Sequence, residues 1–166
     1  MLKKKQRISN DEWIATVKNI KNIVTESEIK KLEKETISQI KSKTKNKKVA
    51  YAWSAGKDSI VLGALCEKAG IKDCMLGRCN LEYPAFIDWI EKNKPEKLEI
   101  INTGQDMEWL IKHPEMLFPK ADKASRWFNI IQHQAQAKYF KNHGLDIILL
   151  GRRKADGNYV GKGDSI

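Results

Sequence analysis

The sequence predicts a three-layer α/β fold: a mostly parallel, twisted sheet of four strands, with room for a fifth, and helices on both faces. An N-terminal helical hairpin is expected ahead of it. Two observations lead there. From residue 49 onward, short apolar runs alternate with amphipathic stretches in the order β-α-β-α-β-α-α-β. Such alternation implies parallel pairing, right-handed crossovers and a helix-covered sheet. The helical stretches are also punctuated as helices should be, by Gly70 and Gly144 at two ends, Pro84 at a start and Pro95 after an end.

The elements follow in order. Ser9-Asn10-Asp11-Glu12 matches a capping box, and Trp13, Val17, Ile20 and Val24 then recur at helical spacing with Ile14 beside them. Thr25-Glu26-Ser27-Glu28 is a second box, continued by Ile29, Leu32, Thr36, Ile37 and Ile40. A new cap directly after the first helix suggests a hairpin. Lys41 to Lys48 (KSKTKNKK) reads as a basic, polar connector. Val49 to Trp53 is the first strand, and a helix from Lys57 to Ala69 follows. Cys74 to Cys79 is the second strand, followed by a helix from Pro84 carrying Phe86, Ile87 and Ile90. Leu98 to Ile101 is the third strand, and Gly104 to Lys112 a short helix. After a loop with Pro114 and Pro119, Asp122 can cap a long helix that runs to His143. Asp146 to Leu150 is the fourth strand. Two parts result: a basic hairpin and linker over 1–48, and a ligand-binding domain over 49–166.

The chain has 166 residues, enough for one domain with a sizeable core. Its 41% hydrophobic content is too high for a wholly disordered chain. No apolar run approaches the ~20 residues that span a bilayer, and no apolar stretch follows the basic start as in a signal peptide. These features point to a soluble cytoplasmic domain without a membrane partner. The 31 Lys and Arg outnumber the 21 Asp and Glu, a net charge of +10. Residues 1–48 hold 14 of the cations and 6 of the acids, net +8, which leaves +2 for the rest. Any nucleic-acid binding is therefore expected through residues 1–48, although lysine runs are also common as solvated linkers. Aromatic residues are scarce there, so base stacking is not expected.

Cys66, Cys74 and Cys79 are odd in number and form no Cys-x-x-Cys pair, which argues against a disulfide framework or a zinc ribbon. They read as buried, reduced thiols. His113, His133 and His143 lack metal-ligand spacing and read as solvated or packed side chains.

In open parallel sheets, ligands bind beyond the carboxyl ends of the strands. The first such place holds Ser54-Ala55-Gly56-Lys57-Asp58-Ser59, directly after a strand and opening a helix. Small residues there let the backbone approach a ligand, and the helix start favours phosphate. Ser54 and Ser59 can donate hydroxyl hydrogen bonds, and Lys57 adds a point charge. Asp58 beside phosphates needs a cation, and Mg²⁺ bridging it to phosphate oxygens meets that need. Ala55 fits the loop if its φ is negative. The loop is neither a Walker A motif nor a dinucleotide fingerprint, because the required glycines are missing.

Ser54 to Ser59 resembles the PP-loop, Ser-Gly-Gly-x-Asp-Ser, of the adenine nucleotide α-hydrolase superfamily. Lys57 points to the branch similar to phosphoadenosine phosphosulfate reductase. Glu82-Tyr83-Pro84 resembles that branch's Glu-aromatic-Pro element, Ser125-Arg126-Trp127 its Arg-Trp segment, and Gly151-Arg152-Arg153-Lys154-Ala155-Asp156 its Gly-x-Arg turn. The resemblance covers roughly residues 49–160, in the expected order, and small phage-encoded members of the branch look similar.

The resemblance implies ATP or a related adenine nucleotide, with Mg²⁺, held by Trp53, Ser54, Ala55, Gly56, Lys57, Asp58, Ser59, Gly151, Arg152 and Arg153. It implies cleavage between the α- and β-phosphates, with adenylylation of a substrate and release of pyrophosphate. Lys57, Asp58 and Arg152 would carry the chemistry, Asp58 as the metal ligand. The other family reaction, sulfonucleotide reduction, is not expected. Phe128 stands where iron–sulfur members carry Cys, and no cysteine follows Cys79. The family usually adds a fifth strand and a C-terminal segment, whereas Asn158 to Ile166 is short, Gly-rich and polar. The domain is thus expected to be C-terminally short. The edge of its fourth strand would be covered by the N-terminal helices, the tail, a second copy or a partner protein. The competing reading is a binding module without catalysis, docked on nucleic acid or a protein partner through its basic segment.

Overall fold

The computed structural model describes residues 9–117 and 126–152. The chain divides into two compact units, 1–36 and 37–166, so the boundary falls earlier than the change in composition at residue 48.

In the first unit, α1 spans Asn10–Lys18 and α2 Ile20–Ile23, and α3 begins at Glu26. Both capping boxes form. Ser9 Oγ accepts from Glu12 N–H at 3.2 Å while the Glu12 carboxylate accepts from Ser9 N–H at 2.8 Å. Thr25 and Glu28 repeat the exchange. The first helix breaks at Asn19 instead of running to Val24. The apolar positions that suggested a packed hairpin are exposed: Trp13, Val17, Ile20, Ile29 and Leu32 do not bury one another.

The expected connector over 41–48 is shorter in the structure. α3 runs Glu26–Thr44, because Ile37 and Ile40 extend its apolar stripe and Ile40 is fully buried. Only residues 45–48 remain as a link. Lys48 N–H donates to the Asp146 carboxylate at 2.7 Å, which fixes the entry to the sheet.

The second unit is a three-layer α/β domain. Its strands are β1 Val49–Ala52, β2 Cys74–Arg78, β3 Leu98–Asn102 and β4 Ile147–Leu149. All pair in parallel, in the order β3-β2-β1-β4. Among the described residues there is no fifth strand, and β4 is an edge. The helices are α4 Lys57–Ala69, α5 Pro84–Asn93, α6 Met107–Lys112 and α7 Gln134–His143. α6 starts later than Gly104 because Asp106 caps it, accepting from Trp109 N–H at 2.8 Å. Gly104 instead sits in a turn with φ +88°. Asp122, Pro119 and Ser125 lie outside the described residues.

Side-chain alternation along the strands separates two cores. Ala50, Met75 and Ile101 face Ala135 and Tyr139 of α7. Tyr51, Trp53, Cys74 and Leu76 face Cys66 of α4 and Ile90 of α5. α7 approaches β2 closely at Gly77, where a Cβ would lie 2.7 Å from the Ala135 Cβ. The helix enters this contact through a π-helical turn, Asn129–His133, from which Gln132 donates to the Gly77 carbonyl at 2.9 Å.

Candidate functional site

β1, β2 and β3 follow one another across the sheet, and the chain then returns to place β4 on the other side of β1. The order therefore reverses between β1 and β4. A crevice opens at the carboxyl ends of strands where such a reversal occurs. The loop Trp53–Ser59 leaves β1 at this point, and Gly151-Arg152 leaves β4.

The two segments touch. A Cβ at Gly151 would lie 2.9 Å from the Asp58 carbonyl oxygen and 3.1 Å from its carbon. Only glycine lets the turn after β4 lie against the first turn of α4.

Within the loop, Ser59 is buried and acts as a strut. Its hydroxyl donates to the Gly56 carbonyl at 2.8 Å and accepts from Ser54 N–H at 3.1 Å. The Ser54 hydroxyl donates to Ser59 Oγ at 3.3 Å. Each hydroxyl has one proton to give, so both are spent inside the loop. The expected hydroxyl donation to a ligand is not available in this conformation. No side chain caps α4 at Gly56, so the donors that face the opening are those of the helix start, with Lys57 exposed beside them.

Ala55 corrects another expectation. Its φ is +62°, in the left-handed region, where alanine is strained and glycine is not. The loop thus takes the shape a glycine would allow, with a Cβ retained. Trp53, expected among the residues that hold the ligand, is packed: its ring is buried and stacks on Trp89, with centroids 6.1 Å apart, and its N–H donates to the Met75 carbonyl at 2.8 Å, so neither ring nor amide is open to a ligand.

Asp58 is half-buried in the first turn of α4. Among the described residues no three His, Cys, Asp or Glu side chains gather as a metal site. A Mg²⁺ here would be held by Asp58 together with phosphate oxygens, which is a common arrangement for this ion. Asp58 would bring its carboxylate to that role from the first turn of α4.

Arg152 is exposed, with its guanidinium 5.2 Å from the centroid of Phe128 and 3.4 Å from His133 Nε2. Arg153 lies outside the described residues, as do Lys154, Ala155 and Asp156. Of the two other motif segments, Tyr83 is strongly exposed ahead of Pro84 at the start of α5. Trp127 donates its Nε1–H to the Met116 carbonyl at 3.2 Å and packs against Trp109. Arg78, at the end of β2, has a buried Nε–H without an acceptor.

Sequence reasoning placed Arg78 at the start of a candidate ligand edge, residues 78–84, without giving it a role, and read His133 as a solvated or packed side chain. His133 lies in the π-helical turn, and no spacing rule foresees its meeting with Arg152. A cation ending a strand is a signal that could have given Arg78 a role. The cysteines behave as expected. Cys66, Cys74 and Cys79 are buried and free of disulfides. Burial pushes the Cys66 thiol up to about 12 and raises the other two. A cavity of about 190 Å³ lined by Glu67, Lys72, Pro95, Glu96 and Lys97 lies near the amino ends of β2 and β3, away from the crevice.

Among the described residues no helix is long and apolar enough to cross a membrane. Comparison with protein-family models finds no match, and comparison with curated proteins finds none.

Proposed function

We propose that the second unit binds ATP across the carboxyl ends of β1 and β4 as a PP-loop protein. In this reading it cleaves ATP between the α- and β-phosphates and releases pyrophosphate. The observation that carries the proposal is the contact at the reversal of strand order. The Ser54–Ser59 loop and the Gly151-Arg152 turn come from the two strands that flank it, and Gly151 lies against the Asp58 backbone. That contact brings an anion-favouring helix start and a cation to one crevice.

The roles follow from charge. An acceptor nucleophile attacks the α-phosphorus, and the bond to the bridging oxygen breaks as pyrophosphate leaves. Negative charge grows on the phosphorane oxygens and on the leaving group. Lys57 and the amides at the start of α4 would meet it from one side, Arg152 from the other. Mg²⁺, when bound with ATP, supplies further charge neutralisation, and Asp58 would hold it. Among the described residues no side chain in the crevice stands out as a general base, which suits an acceptor activated by positioning. The buried, protonated thiols lend no support to reductase chemistry.

Pyrophosphate release from ATP tests the proposal. The intact protein is expected to release it when the acceptor is supplied, and Lys57→Ala to lower the rate at least tenfold, the scale of one lost charge-stabilising donor. Absence of ATP binding by the intact protein would overturn it.

One observation favours a second reading, a binding module without catalysis. Trp13, Val17 and Leu32 of the first unit are exposed on amphipathic helices. The stretch 9–36 holds as many acids as cations or more, and the cations of 1–48 gather at its two ends. A polyanion would therefore meet those ends, Lys3 to Arg7 and Lys41 to Lys48, and not the stretch 9–36 between them. Salt-dependent RNA or DNA binding that weakens when those lysines are neutralised would support this reading.

A further inference from the structure

The geometry points to His133 as the positioning residue of Arg152, holding its guanidinium ready for the phosphates of the ligand. This rests on the nucleotide reading above. Arg152 has one terminal nitrogen 3.4 Å from His133 Nε2 and its guanidinium carbon 5.2 Å from the centre of the Phe128 ring. Phe128 and His133 themselves meet edge to face, with centroids 4.6 Å apart. The cation is therefore held on one face by an aromatic ring and at one corner by an imidazole. Among the described residues no carboxylate pairs with it.

The hydrogen bond has a fixed sense. Arginine donates and cannot accept, so Nε2 accepts and the imidazole proton resides on Nδ1. One of the five guanidinium N–H groups is used, and among the described residues the other four have no hydrogen-bond acceptor, so they can meet an oxyanion. The arrangement removes part of the rotamer freedom that an exposed arginine would otherwise lose on binding.

The π-helical turn creates this cluster. In a regular α-helix, residues five apart are rotated about 140° from each other. Phe128 and His133 would then point in different directions. The turn over Asn129–His133, with Gln134 N–H bonded to the Asn129 carbonyl five residues back, brings them to one side. The turn is itself fixed where it meets β2, through Gln132 on the Gly77 carbonyl and Ala135 against Gly77. A π-helical turn is less stable than an α-helical one, and such turns often occur at functional sites.

Long-range ¹H–¹⁵N NMR of the nucleotide-free protein reads the pairing directly. The expected spectrum shows His133 protonated on Nδ1, with a shift toward the Nε2–H tautomer in Arg152→Ala. A proton on Nε2 in the unaltered protein, or no change in Arg152→Ala, would overturn the proposal. Titration with ATP and Mg²⁺ reads the consequence. His133→Leu is expected to weaken binding about fivefold, and His133→Gln, which keeps an acceptor, to stay within about twofold of the original. Equal weakening in both variants would reduce His133 to packing and overturn the proposal. If ATP fails to bind even the unaltered protein, the nucleotide reading and the phosphate role fall together, while the tautomer still decides whether the pair exists.

Discussion

Ala55 and Gly151 are the two residues whose backbone decides whether the crevice can form. Ala55 holds φ at +62°. An L-residue there costs ~1–2 kcal/mol, and the greater freedom of an unfolded glycine offsets ~0.5–1 of that. Ala55→Gly is therefore expected to stabilise the domain by ~0.5–1 kcal/mol in urea unfolding. A destabilised variant would mean that the Ala55 methyl packs usefully, since it lies against the Tyr51 and Leu76 core. Gly151→Ala should do the opposite. Its new Cβ would meet the Asp58 carbonyl at 2.9 Å, and pushing two backbone segments apart costs ~1–3 kcal/mol. Unchanged stability and unchanged ATP binding in that variant would argue against a close contact. The Cys66 thiol, raised by burial to about 12, stays protonated at neutral pH. Ellman's reagent is expected to label it only on unfolding, and rapid labelling of the native protein would contradict its burial. The loop's residue types were legible from sequence because small and polar residues between a strand and a helix restrict what the turn can be. The sign of φ at Ala55 was not legible, since it depends on how Ser59 ties Ser54 and Gly56 together.

At the scale of elements, the two N-terminal capping boxes give a pH-dependent signature. The Ser9 amide and hydroxyl hold the Glu12 carboxyl below its ordinary value, and those of Thr25 do the same for Glu28. A lowered folded value means that the carboxylate form stabilises the helix above the ordinary glutamate range. That contribution is lost as pH falls through the lowered value. Helicity of the first unit should therefore decline in acid below about pH 4, followed by circular dichroism, and Glu12→Ala should lose part of this acid step. A pH-independent signal down to pH 2 would show that the boxes contribute little. These caps were readable because a box needs only two residues at fixed spacing. The extension of α3 to Thr44 was obscured by lysines, which suit both a helix and a linker, and Ile40 decides it through tertiary burial. The π-helical turn was not readable either, because its cause is a fit between α7 and Gly77, far apart in sequence.

For the whole molecule, the alternation of strands and helices was enough to foresee a parallel, three-layer domain. It could not give the order β3-β2-β1-β4, because pairing is settled by contacts distant in sequence. That order matters most for function, since it brings the ends of β1 and β4 together. Two motif segments that are nearly a hundred residues apart thus become neighbours, as Gly151 and Asp58 demonstrate. The basic character of 1–48 also changes meaning once the units are separated. Its cations gather at residues 1–8 and 41–48, and the five lysines of 41–48 fall in the second unit. The central claim is that the crevice between β1 and β4 is an ATP site. Amide NMR shifts on titrating the intact protein with ATP and Mg²⁺ test this most directly. The account predicts saturable shifts centred on residues 54–59 and 151–152, weakened in Lys57→Ala. No shifts, or shifts centred elsewhere and unchanged in Lys57→Ala, would contradict it.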